Sequence, residues 1–136
     1  MACPYFEPQH VNASPEHAAA RMPLIDEYDG LCRAAGAPFP VPGQLRFRCC
    51  NHGNSRRTCA HFPAGEMRSA LRYEIVGRTA AALELLLVEE RDYTPHSWQT
   101  IRYFVAGELL EPEVADVAKQ AQIRAFCRSF LERFPA

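Results

Sequence analysis

LRYEIVGRTAAALELLLVEERDYTPHSWQTIRYFV, residues 71–105, is the stretch that decides the fold. Leu71, Tyr73 and Ile75 alternate with Arg72, Glu74 and Val76, the period of a half-buried strand. Residues 81–90 form an apolar run that ends in charge, which fits a mostly buried strand. Residues 97–105 gather Trp98, Thr100, Ile101, Tyr103, Phe104 and Val105, side chains that suit a pleated surface. Gly77-Arg78 and residues 92–96, with Pro95, supply the turns. Three strands joined by short turns predict an antiparallel meander. Residues 113–134 then read as a long helix. Pro112 precedes it, Glu113 and Asp116 suit its first turn, and Ile123, Phe126, Cys127, Phe130, Leu131 and Phe134 share one face. A long C-terminal helix on a three-stranded antiparallel sheet is an α+β arrangement.

Upstream of residue 65 the character changes. Ser14 suits an N-cap, Pro15 the first helical position and Glu16 the positive helix end, which predicts a short helix over residues 15–22. Leu24, Ile25, Tyr28, Leu31 and Cys32 then follow helical spacing and predict a second helix over 24–35, ended by Gly36. Pro38, Pro40, Pro42 and Gly43 force an extended course, and residues 46–63 have no period and read as loop. At 136 residues and 48% hydrophobic content the chain suits one domain, residues 1–136. A soft boundary divides an irregular, cysteine-bearing half (1–65) from a sheet-plus-helix half (66–136).

Five of the six cysteines lie in that irregular half: Cys3, Cys32, Cys49, Cys50 and Cys59. Thiols in a loop-rich segment act as staples that order it. Cys127, on the apolar face of the predicted helix, reads as a small core hydrophobe. Adjacent cysteines point in different directions, so one of Cys49 and Cys50 is expected to serve as a ligand. Taking Cys50 gives a set of Cys3, Cys32, Cys50 and Cys59. No CxxC occurs, whereas structural zinc sites use close pairs. Widely spread thiolates suit a larger object, a four-iron cluster. Zinc, disulfides and free thiols remain alternatives. Residues 30–65 contain no Asp or Glu but hold Arg33, Arg46, Arg48, Arg56 and Arg57, and positive charge beside thiols favours the thiolate. His52 and His61 flank the thiols and read as supporting donors or exposed residues.

Cys3-Pro4-Tyr5-Phe6, Cys32, Cys50-Asn51-x-Gly53 and Cys59-x-x-Phe62-Pro63, followed by Glu90-Arg91-Asp92, Pro95, Trp98 and Arg102-Tyr103, resemble a group of small bacterial proteins with four-cysteine iron–sulfur sites and no assigned reaction. The resemblance covers most of the chain. It implies cluster ligation by Cys3, Cys32, Cys50 and Cys59, with the extra Cys49 leaving the third ligand open.

The expected function is a small [4Fe-4S] protein in electron transfer or redox sensing, working with a redox partner protein. Four thiolates saturate the cluster and leave no iron open to substrate. The alternative is a zinc- or cluster-stabilised interaction module whose basic segment contacts an acidic protein or nucleic acid. HExxH, GxSxG, P-loop and GxGxxG signatures are missing, and the reading leans away from an enzyme. A formal net charge of −1 argues against nucleic-acid or membrane binding driven by overall charge. No signal-peptide pattern or spanning apolar run is evident, so the expectation is a cytoplasmic protein, where clustered cysteines serve as ligands or redox groups.

Overall fold

The computed structural model describes residues 2–12, 22–56 and 58–135. Its first half is not irregular. Strands β1 (Phe6–Val11), β2 (Tyr28–Cys32) and β3 (Phe39–Pro40) form an antiparallel sheet in the order β1-β2-β3. The helix predicted over 24–35 is therefore replaced by a turn and a strand. Ile25 has φ of 72°, and its N–H closes a tight turn onto Met22 O at 2.9 Å, which no right-handed helix accommodates. From Tyr28 the chain alternates, with Tyr28, Gly30 and Cys32 buried. The spacing misled because Tyr28 and Cys32 are one helical turn apart and equally two strand repeats apart. Gly30 settles the matter: a Cβ there would stand 2.0 Å from Glu7 O, so β1 and β2 approach as only glycine permits. Of the helix predicted over 15–22, residues 15–21 lie outside the described residues. Met22 sits in an isolated bridge with Ile25.

After β3 a single helical turn, α1 (Gly43–Leu45), runs into a π-helical turn, Arg46–Cys50. The second half is the expected meander with one strand more. β4 (Ala70–Arg78), β5 (Ala82–Arg91), β6 (Thr94–Phe104) and β7 (Leu109–Glu111) form a four-stranded antiparallel sheet in sequence order. Leu71 and Tyr73 of β4, Leu83, Leu85 and Leu87 of β5, and Ile101 and Tyr103 of β6 are buried. The β5–β6 turn is tighter than predicted. Asp92 and Tyr93 take φ of 48° and 67°, the left-handed pair that a two-residue type I′ hairpin needs. Pro95 and His96 are thus in β6, and a bulge between Glu89 and Glu90 accommodates the proline. β7, three residues long, is too short to show a period.

The C-terminal helix α2 (Val117–Arg133) starts later than predicted, because Asp116 caps it and accepts from Lys119 N–H at 2.9 Å. Ile123, Phe126 and Cys127 are buried as expected, but Phe134 is exposed at the helix end. Trp98 and Tyr93 do not join the core, being 68% and 70% exposed, while Tyr103 is buried. Side chains from β1, β2, β4, β5, β6 and α2 share one core cluster. Tyr28 Oη donates to Ala125 O at 2.9 Å, fastening the first sheet to α2. The molecule is α+β. Among the described residues no helix is long and apolar enough to cross a membrane.

Candidate metal centre

Cys3, Cys32, Cys49, Cys50 and Cys59 all line one pocket, together with Phe6, Ala34, Val41, Leu45, Ser55, His61 and Phe62. The free space inside it is small, about 10 Å³. Cys127 is buried in the core and takes no part in the pocket. All six cysteines are free thiols, and Cys59 is the half-exposed one while the other five are buried.

The five thiols arrive on four separate pieces of backbone, and polar clamps hold the pieces in register. Cys3 lies just before β1. Ala2 exchanges two 2.7 Å backbone hydrogen bonds with Leu71 of β4, and Cys3 N–H donates to Cys50 O at 3.0 Å. Gln122 of α2, fully buried, donates from Nε2 to Cys3 O at 2.7 Å and to Phe6 O at 2.8 Å. Its Oε1 in turn accepts from Tyr73 Oη at 2.9 Å. Cys32 ends β2. Cys49 and Cys50 end the π-helical turn, whose last bond runs from Asn51 N–H to Arg46 O at 2.9 Å, five residues back. This wider turn leaves both adjacent cysteines on the pocket wall, contrary to the expectation that one would turn away.

Asn51 is fully buried and joins the Cys49–Cys50 turn to β2. Its Oδ1 accepts from Tyr28 N–H at 3.0 Å, and its Nδ2 donates to Tyr28 O and to Arg46 O, each at 3.0 Å. Cys59 follows a turn in which its N–H donates to Ser55 O at 2.8 Å, and Phe62 N–H donates back to Cys59 O at 3.1 Å. His61 lines the pocket with its ring 4.8 Å from that of Phe39. His52 does not line it and packs against Phe47 at 4.8 Å.

The electrostatics differ from those expected of an arginine-rich segment. Burial pushes the Cys3 thiol up to about 12 and the Cys50 thiol higher still, and it raises Cys32 and Cys49. Burial is the largest influence on each of these thiols, and three of the arginines do little to oppose it. Arg33 pairs with Glu7, Arg56 reaches Asp92 at 3.2 Å, and Arg48 is exposed. Short-range donors oppose the burial. The Tyr5 backbone N–H favours the Cys3 thiolate, the Ala34 N–H favours that of Cys32, and the Ser55 and Thr58 hydroxyls favour that of Cys49. Burial therefore favours the protonated form of Cys3, Cys32, Cys49 and Cys50 until positive charge arrives to share them.

Among the described residues, no three His, Cys, Asp or Glu side chains form a group that could hold a metal ion. The five thiols share one pocket without forming such a group. Gln122 was not legible as part of the site. Its signal in the sequence was a polar residue beside Ile123 and one turn from Phe126 on a buried stripe. No protein-family model, curated protein or solved structure matches this chain.

Proposed function

We propose that the protein is a small iron–sulfur protein in which Cys3, Cys32, Cys50 and Cys59 hold a [4Fe-4S] cluster for electron transfer or redox sensing. One observation carries this reading: thiols far apart in sequence line a single pocket that is otherwise largely apolar. A single buried thiol is an ordinary core residue, but five gathered on one pocket form a ready set of soft ligands. Zinc would need its thiolates about 2.3 Å from a single centre. Thiols that share one pocket without forming such a group suit the larger cluster better. The backbone N–H groups aimed at Cys3 and Cys32 support the same reading, since hydrogen bonds to ligating sulfurs stabilise the thiolate and tune the cluster. Four protein thiolates complete the iron coordination, so the chemistry left to such a centre is the gain and loss of electrons. Cys59, the half-exposed thiol, marks the side from which a redox partner approaches.

Iron, acid-labile sulfide and zinc are counted per chain on protein isolated without oxygen. About four irons and four sulfides are expected. Zinc without sulfide would replace the cluster by a structural ion and turn the protein into an interaction module. Neither metal would overturn both readings.

A further inference from the structure

Ser55 is 2% exposed, and its buried Oγ lies near the Cys49 sulfur but makes no hydrogen bond of normal geometry to it or to any other group. This hydroxyl belongs to the wall of the thiol pocket. The serine is held there by its backbone, because Ser55 O accepts from Thr58 N–H at 3.0 Å and from Cys59 N–H at 2.8 Å. An orphaned buried hydroxyl is a net cost that alanine would avoid, and native proteins keep such groups where a partner arrives later. Water is a poor candidate for that partner. It needs two to four polar neighbours, and the wall offers mostly thiols and apolar groups. What the position lacks is an acceptor brought in by the occupant.

Resting on the cluster reading above, we propose that Ser55 Oγ donates a hydrogen bond to a sulfur of the bound centre, on the side lined by Cys49 and Cys59, and so raises its reduction potential. Reduction adds one electron to the cluster and makes its sulfurs more negative. A donated hydrogen bond then strengthens, because bonds to charged acceptors are the stronger ones. Ser55 acts through the cluster's sulfur and is a positioning residue, not a catalytic one.

The test compares the loaded and metal-free forms of wild type, Ser55→Ala and Ser55→Thr. In the loaded form, Ser55→Ala is expected to shift the potential to more negative values. It should also release iron to a chelator about threefold to tenfold faster, the ratio worth one ordinary hydrogen bond. Ser55→Thr, which keeps the hydroxyl, stays nearer to wild type. Metal-free Ser55→Ala is at least as stable to urea as wild type, because it loses only an orphan. An unchanged potential in loaded Ser55→Ala overturns the inference, as does alanine-like behaviour of Ser55→Thr. A metal-free Ser55→Ala that is clearly less stable also overturns it, since the hydroxyl would then have had a partner all along. Iron and sulfide counts on wild type come first. If they are missing, the cluster reading itself has failed; if they are present, only the role of Ser55 is at stake.

Discussion

Replacing Asn51 by alanine is expected to separate the two halves of the thiol pocket and to destabilise the fold. The side chain makes three hydrogen bonds at 3.0 Å, all inside the protein. Arg46 O keeps a second donor, the Asn51 backbone N–H, so its loss is partial. The side-chain bonds to Tyr28 N–H and Tyr28 O have no such substitute from Asn51. Three bonds at about 1 kcal/mol each give roughly 3 kcal/mol, and the stranded Tyr28 N–H adds about 1–2 kcal/mol. The total, about 3–5 kcal/mol, is a large share of the stability of a domain this size. Asn51→Ala and wild type are compared by urea unfolding of the metal-free protein and by iron content of the loaded protein. A lower midpoint with an unchanged slope is expected, together with loss of most of the iron, because the Cys49–Cys50 turn would no longer be tied to the strand bearing Cys32. A cost below about 1 kcal/mol, or full iron retention, would refute the claim that this amide holds the site together.

Three further outcomes are expected. Cys3→Ser, Cys32→Ser, Cys50→Ser and Cys59→Ser each lose the cluster absorbance while Cys127→Ser keeps it; if Cys50→Ser stays loaded and Cys49→Ser does not, the assignment within the pair is reversed. Gly30→Ala drives a Cβ against Glu7 O at 2.0 Å, which should lower stability by at least about 1–3 kcal/mol in a thermal melt, and a neutral result would mean that β1 and β2 part easily. The metal-free protein should weaken in alkali. Cys3 ionises near 9 in the unfolded chain but near about 12 when folded, so its contribution is complete below pH 9 and lost between pH 9 and 12. At pH 10 that loss is on the order of 1 kcal/mol from Cys3 alone, with Cys50 and Cys127 acting in the same direction. Identical urea midpoints at pH 8 and pH 10 would contradict it.

The meander was legible because residues 71–76 alternate, 81–90 form a short apolar run and 97–105 are rich in aromatic and β-branched residues, with turn residues between them, and the helix because its stripe runs for several turns. β2 was not, since Tyr28 and Cys32 satisfy both periods, and what decides between them, the close approach of Glu7 to Gly30, comes from another strand. Nor could the sequence show that a π-helical turn would keep both Cys49 and Cys50 on the pocket. The thiols themselves were legible as a group, because cysteines without an apolar pattern have little else to do than gather. The amides that gather them were not. Asn51 and Gln122 are polar letters whose burial depends on partners at distant positions, Tyr28 for one and Cys3 for the other. The arginines misled for a related reason. Proximity in sequence suggested charge near the thiols, while the fold sends Arg33 to Glu7 and Arg56 to Asp92.

The bond from Gln122 to Cys3 O spans 119 positions in the chain, and this sets an order of events during synthesis. Cys3 is made well before its anchor, Gln122, which follows 119 positions later. Until α2 has emerged, Cys32, Cys50 and Cys59 can be brought together only by the first sheet and the turns beside it, with the loop before β1 still lacking one of its ties. A chain stopped before residue 117 would thus present a pocket with its first thiol less firmly held. Helix α2 in this sense completes the site, fastening a thiol made 119 positions before its anchor.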